Sequence, residues 1–426
     1  MLFPAGDGRP DRGIPAAGRM DITDAPIWVR DSRTMRRLLD VLGRSDRIAV
    51  DSESNPMHAY RELLCLLQIT AGGRDWFVDP LAGLDLGPLG EMFEDPGLMK
   101  VFHDAEYDLY LLRRTHGIRV RGLYDTKVVA VALGNSSVGL AGMLASELGI
   151  ELDKKQQLSD WSRRPLTPEQ EDYARRDTHY LLDLQEALEA KLARAPSLVR
   201  NEVRSEFRRL ENLEPPDLEE RRKTGWKRVK GAGKLNPEEL RVLERLFLWR
   251  EGAADARNVP PFKVCSDRHL LEVAKSRPQS RGELVRSCGI PEKIARRIGG
   301  DLLAVVKEAE GMPGLEFPQT RRSGKERAKA REVEAILDAL KAWRKERAGR
   351  RPTDPSHILN REIMEALASW RPVPETLEDL ESTGLLESWR IEAYGGEILA
   401  ALEEGAGRGG AGNEAGTPRR RRRRQG

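Results

Sequence analysis

The chain has 426 residues, 39% of them hydrophobic and 33% charged, with a net charge of +3 and a pI near 8.7. This length suits two to three globular domains, and so mild a charge does not by itself diagnose nucleic-acid binding. No apolar run reaches the roughly 18 residues of a spanning helix, and the three scattered cysteines, Cys65, Cys265 and Cys288, argue against a disulfide framework or a zinc site.

Residues 1–20 are rich in Gly, Pro and Arg and are expected to be disordered. They lack the apolar stretch of an export signal, so the chain reads as cytosolic with no membrane partner. Apolar runs at 47–51, 63–69 and 75–78 predict strands. A helix near 87–94, a short strand at 99–103 and a helix over 104–115 follow. Another short strand ends near Asp125, and helices are expected at 126–133, 139–148 and 168–192, punctuated by Gly122 and Gly134. Strands first, then strand–helix alternation, give a mixed sheet flanked by helices. Residues 198–235 read as a charged connector, broken at Pro215-Pro216. Helical patterns then cover 236–310 and 330–404, separated by a linker at 311–329. The two stretches echo each other, with Trp249-Arg250 in one and Trp343-Arg344 in the other. The segment 405–426 is a low-complexity tail ending in Arg419–Arg424, expected to be disordered.

Chemistry-bearing residues concentrate in the first of these regions. Asp51 and Glu53 stand two apart at the end of an apolar run, on one face of a strand. Asp108 lies in the opening of a predicted helix. Tyr173 and Asp177, four apart in QEDYARRDTHYLLDL, share one face of another helix. Each feature alone has an ordinary reading: a solvated strand end, a helix cap, a partly buried helix tyrosine. Four carboxylates and a phenol together suit phosphodiester hydrolysis assisted by hard divalent ions, which prefer oxygen ligands. Asp104, Glu106, Glu171 and Asp172 are acidic neighbours without the motif spacing, and His103 and His179 read as structural or substrate-facing.

In this order, and with the intervening block LDKKQQLSDWSRRPLTPEQEDYARRD, these residues resemble the ribonuclease D family of 3′→5′ exonucleases, the tyrosine branch of the DEDD group. The resemblance implies a ribonuclease-H-like α/β exonuclease domain over 21–197. It implies one or two all-α helicase-and-ribonuclease-D C-terminal (HRDC) domains over 236–310 and, more divergently, 330–404. It also implies a metal-dependent exoribonuclease that releases nucleoside 5′-monophosphates from single-stranded RNA 3′ ends, transfer-RNA precursors among them. Asp51, Glu53, Asp108 and Asp177 would hold two divalent cations, Mg²⁺ or Mn²⁺, with Asp51 bridging them. Tyr173 would orient the attacking water. From the residues, Lys154, Arg163 and Arg164 are candidate phosphate contacts. Trp161 is a candidate for stacking on a terminal base or for anchoring its loop by packing. Asp125 is expected to fix a strand–helix turn, and Leu66 and Gln68 to line the groove. A DNA exonuclease of the same chemistry and a non-catalytic nucleic-acid scaffold remain open on the sequence.

Overall fold

The structure, a computed structural model, describes residues 24–152, 156–316, 324–351 and 353–411. Lys154, the arginine run at 419–424 and the expectation of disorder at 1–20 lie outside the described residues.

The first region is a six-stranded mixed sheet: β1 (Ile27–Val29), β2 (Arg47–Ser54), β3 (Leu64–Ala71), β4 (Arg74–Val78), β5 (Met99–Phe102) and β6 (Leu123–Asp125). Its order is β1-β4-β3-β2-β5-β6. β3 runs antiparallel to β2 and β4, and the other three pairings are parallel. β3 and β4 form a hairpin across Gly72-Gly73, both at positive φ (57° and 70°), where the tight turn requires glycine. All eight residues of β3 are buried, because helices cover both faces of the central sheet.

Those helices are α1 (Ser32–Leu42), α2 (Gly87–Glu94), α3 (Glu106–His116), α4 (Thr126–Ala132), α5 (Leu140–Leu148), α6 (Pro168–His179), α7 (Leu181–Arg194) and α8 (Ser197–Glu211). The single helix expected over 168–192 is two, parted at Tyr180. β1 and α1 were not anticipated. The stretch read as a connector from 198 begins with α8, whose Val199, Val203, Phe207 and Leu210 are buried in the same core as the sheet. Their i, i+4, i+8, i+11 spacing is that of an amphipathic helix, obscured in the sequence by the charges between them.

Beyond α8 the chain is helical. α9 (Leu218–Thr224) is followed by a first bundle of α10 (Pro237–Ala256), α11 (Pro261–Val264), α12 (Asp267–Ser276), α13 (Arg281–Arg286) and α14 (Glu292–Glu310). A second bundle repeats the plan in α15 (Gly324–Gly349), α16 (Pro355–Ile358), α17 (Arg361–Ser369), α18 (Leu377–Ser382) and α19 (Ser388–Ala411). α19 carries helical structure to 411, into the stretch read as tail. Each bundle has its own buried core. In the first, Arg250 Nη1 donates to the carbonyl of Cys265 (3.0 Å); in the second, Arg344 Nη1 donates to that of Leu359 (2.8 Å). The sequence echo of the two Trp-Arg pairs is thus the same anchor, reaching 15 residues on in both copies. No described helix is long and apolar enough to cross a membrane.

Both bundles dock on the α/β region. The loop leaving β2 meets α10: the amide N–H groups of Tyr60 and Arg61 donate to Asn258, Tyr60 Oη donates to Glu251 (3.1 Å), and Arg61 pairs with Asp255 (2.8 Å). On the other side, Glu202 of α8 is fully buried, accepting from Tyr394 Oη (2.8 Å) and from Arg351 of the second bundle.

Candidate active site

The site forms where the end of β2 meets α6. Strand alternation puts Asp51 and Glu53 on the face that α6 covers. α6 starts from a capping box in which Thr167 and Gln170 exchange hydrogen bonds, with Pro168 at its first position. One carboxylate oxygen each from Asp51, Glu53 and Asp177 lies within 4.8 Å of the others, all three groups being partly buried. The Tyr173 phenol stands beside Asp177, close enough for each group to shift the other's ionisation.

Asp108 stands at the start of α3, buried, and accepts a hydrogen bond from Ser52 Oγ. It lies outside the three-carboxylate cluster but close enough to bear on it electrically. The β5–α3 turn that presents it is held by Asp125, whose carboxylate accepts from the backbone N–H groups of Asp104 (3.1 Å), Ala105 (2.8 Å), Lys127 (2.8 Å) and Val128 (3.3 Å). Two of these donors, from Asp104 and Ala105, hold Asp104 at a positive φ of 66°, and the other two cap α4.

Burial and mutual repulsion dominate the electrostatics. Burial first, then Asp177, pushes Asp51 well above the ordinary carboxylate range. Glu53 is raised by burial and by Asp51, Asp177 and Asp108. Asp108 is raised by burial and Asp51, and Asp177 is raised to about 7, chiefly by burial and against the lowering effect of the Tyr173 phenol. A cluster so averse to its own charge can hold a cation. Its candidate donors are all oxygens, which would fit a hard divalent ion rather than zinc or copper.

The clamp that aims α6 was not foreseen. Asp75 of β4, buried, takes Arg175 Nε (2.5 Å), His179 Nδ1 (2.8 Å) and Thr70 Oγ1 (2.8 Å), and Thr70 also bonds Thr178 (3.0 Å). Burial alone would raise the pKa of Asp75, but the bonds from His179 and Arg175 outweigh it and leave it lowered. The available signal was an aspartate inside the apolar run of β4, which a buried strand tolerates only when paired. His179 therefore faces the sheet, and His103 Nδ1 is taken by Thr126 (2.9 Å).

Two of the expected substrate contacts are corrected. The Trp161 ring is 1% exposed, packed with Cys65, Leu66, Phe77, Leu166 and Ala174, and 6.0 Å from the Tyr173 ring. It has no face to offer a base and instead seats the tyrosine. Arg164 spends its guanidinium on Asp79 (2.8 Å twice) and on the carbonyls of Cys65, Trp161 and Arg163. It crosses from loop to sheet and has no donor left for phosphate. Arg163 is open, 81% exposed, and paired only with Asp160.

A family model described as 3′-5′ exonuclease matches residues 26–193, and the HRDC domain model matches twice, at 239–306 and 333–402. Ribonuclease D of Pseudomonas paraeruginosa is 30% identical over 383 residues, 88% of this chain and 97% of that protein. The exosome complex component 10 homolog of Caenorhabditis elegans is 30% identical over 74% of this chain and 36% of its own. Among solved structures, Escherichia coli RNase D, described as an exoribonuclease involved in structured RNA processing, superposes with a TM-score of 0.61 at 26% identity, covering 89% of this chain and 99% of that one. The catalytic core of RRP6 from Trypanosoma brucei gives 0.59 at 28% identity, covering 69% and 82%.

Proposed function

From the premise that this chain belongs to the ribonuclease D family and is a 3′→5′ exoribonuclease, we propose that it trims single-stranded 3′ ends of structured RNAs, transfer-RNA precursors among them, in a Mg²⁺- or Mn²⁺-dependent reaction at Asp51, Glu53, Asp108, Asp177 and Tyr173. The observation that carries this is the convergence of the Asp51, Glu53 and Asp177 oxygens within 4.8 Å beside the Tyr173 hydroxyl. The DNA-exonuclease and scaffold readings lose ground to the kinship with ribonuclease D proteins, and the full carboxylate set speaks against a scaffold.

Asp51, Glu53 and Asp177 would hold the ions, two in number, with Asp108 acting on the second. When bound, such ions compensate the phosphate's charge, acidify water and ease departure of the 3′ oxygen. The chain's own work is positioning. Water attacks the last phosphorus, the bond to the 3′ oxygen of the preceding nucleotide breaks, and that oxygen takes a proton. One nucleoside 5′-monophosphate leaves per cycle. The Tyr173 phenol has a pKa far above its ordinary value, from burial and then from Asp177, Glu53 and Asp51, so it stays protonated. Standing beside Asp177, it keeps its O–H and its lone pairs free to hold the attacking water. Arg163 is the remaining described candidate for a phosphate contact, and Lys154 is proposed beside it from the sequence.

We read 24–213 as the catalytic domain, with HRDC domains over 236–310 and 330–404. Their docking near the β2 exit and on α8 supports a role in guiding RNA. Incubation of 5′-labelled RNA and DNA oligomers with Mg²⁺, with Mn²⁺ or with EDTA tests the proposal. Stepwise 3′ shortening of RNA in either metal, with EDTA silent and DNA spared, is expected. An unchanged ladder in EDTA, or DNA degraded as fast as RNA, would refute it.

A further inference from the structure

Gln68 sits in the middle of β3, 0% exposed, and neither its side-chain nitrogen nor its side-chain oxygen has a hydrogen-bond partner. A buried primary amide left unpaired has given up its hydrogen bonds to water with none in return. Native proteins rarely leave such a group without a reason.

Its place in the sheet supplies the reason. In the β2–β3 ladder Gln68 stands directly opposite Asp51. Residues so paired point to the same face, with Cβ atoms about 5 Å apart. Phe77 opposes it on the other side, across β4. α6 closes this face from above. Thr70, two residues on, is tied to Thr178, and Leu66, two residues back, packs in the cluster that holds Ala174. Gln68 lies between them, under the turn of α6 that carries Asp177. Its nearest built neighbours on the face offer no bond: Phe77 has no polar side-chain atom, and Thr70 is engaged with Asp75 and Thr178. Across β2 the side chain facing it is that of Asp51, at the floor of the carboxylate cluster.

We propose that Gln68 is a positioning residue of the metal site, whose amide bonds the outer oxygens of the Asp51–Asp177 pair, or the water shell they share with the ion, once a divalent cation is bound. Its NH₂ can donate to a carboxylate oxygen that the ion leaves free, and its carbonyl can accept from an ion-bound water. Such outer bonds fix how ligating carboxylates are turned. The proposal rests on the metal-dependent reading above. It accounts for a buried amide left unpaired in a strand, LCLLQITA, whose other polar side chain, Thr70, is bonded.

The test is Gln68→Met, which keeps length and volume and removes both polar atoms. Midpoints for Mn²⁺ are read from thermal shift titrations of the full chain, beside wild type and Asp51→Asn. In EDTA, Gln68→Met is expected to melt at or above the wild-type temperature, because an unsatisfied group has been removed. Its Mn²⁺ midpoint should be weaker by about 10-fold or more, with KM for RNA at saturating metal little changed. A midpoint shift of less than about fivefold would show that Gln68 only fills space and would overturn the proposal. If wild type itself shows no Mn²⁺-dependent shift, the metal reading fails instead, and Gln68 with it. If Gln68→Met gives no cooperative transition, crystal structures of wild type with and without Mn²⁺ decide. The amide within hydrogen-bond distance of a ligand oxygen or ion-bound water supports the role, and an amide bonded elsewhere or to nothing overturns it.

Discussion

The Tyr173 phenol and Asp177 stand one helical turn apart on α6, where the carboxylate holds the phenol's pKa up and the phenol holds the carboxylate's down. The phenol and a prospective metal ligand are therefore one electrostatic unit. Removing the hydroxyl by Tyr173→Phe takes away no carboxylate and no phosphate contact. Turnover should fall by about 100-fold, while KM for RNA and the Mn²⁺-induced rise in melting temperature stay near wild type. A rise in KM that tracks the loss of rate would place the tyrosine in binding instead.

Asp51→Asn should abolish turnover and also erase the stabilisation by Mn²⁺. In metal-free protein the same change should raise the melting temperature or leave it alone, because it removes one charge from a buried, mutually repelling set. Thermal melts with EDTA and with Mn²⁺ measure both. A variant still stabilised by Mn²⁺ as strongly as wild type would show that Asp51 holds no ion.

Asp177→Ala and Asp172→Ala form an internal control on one helix. Asp172 is 51% exposed and paired with Arg176 at 2.9 Å, an arrangement worth well under about 1 kcal/mol. Its loss should leave rate and stability nearly unchanged. Asp177→Ala should remove activity, and comparable rates for the two would misplace the motif.

Trp161→Ala and Arg164→Ala should fail as structural lesions. The first opens a cavity worth about 3–5 kcal/mol under Tyr173, and the second leaves the buried Asp79 with Arg30 (3.4 Å) as its remaining arginine, at a cost below the about 3–5 kcal/mol of a fully orphaned buried charge. Neither should alter the salt dependence of RNA affinity, since neither neutralises a phosphate. Denaturant melts and binding measured across salt concentrations separate these effects. A flattened salt slope for Arg164→Ala, with stability intact, would restore it as a phosphate contact.

Acid should destabilise the fold partly through His103. Burial depresses its pKa to about 4, so the folded state keeps it neutral where an unfolded chain would protonate it. Stability from this group is complete above about pH 6.5 and is lost as pH falls toward 4. His103→Asn should flatten the fall in stability between pH 6.5 and 4 relative to wild type. Parallel curves for the two proteins would contradict this.

The reach of the sequence followed the kind of information each feature needs. Motif order, the strand carrying Asp51 and Glu53, and the turn held by Asp125 depend on local spacing, and they were readable. β1 is three residues long and has no period to detect. α8 hid among its own charges. The break at Tyr180 carries neither glycine nor proline. Trp161 was left between stacking on a base and packing in its loop, and Arg164 was read as a phosphate contact, because an aromatic or a guanidinium suits a nucleic acid and a core equally well. Only the partners across the sheet, Phe77 and Asp79, decide which. The Asp75 clamp joins residues about 100 positions apart, a pairing that no local pattern announces.

The arginine anchors of the two helical bundles end on backbone carbonyls, of Cys265 in one copy and Leu359 in the other. A carbonyl is supplied by every amino acid, so the receiving end of this bond is indifferent to substitution. Two domains built on one plan can therefore keep the same joint while the residue that receives it differs, a cysteine in one and a leucine in the other. Their outer surfaces are free to differ as well, one meeting the loop after β2 and the other α8.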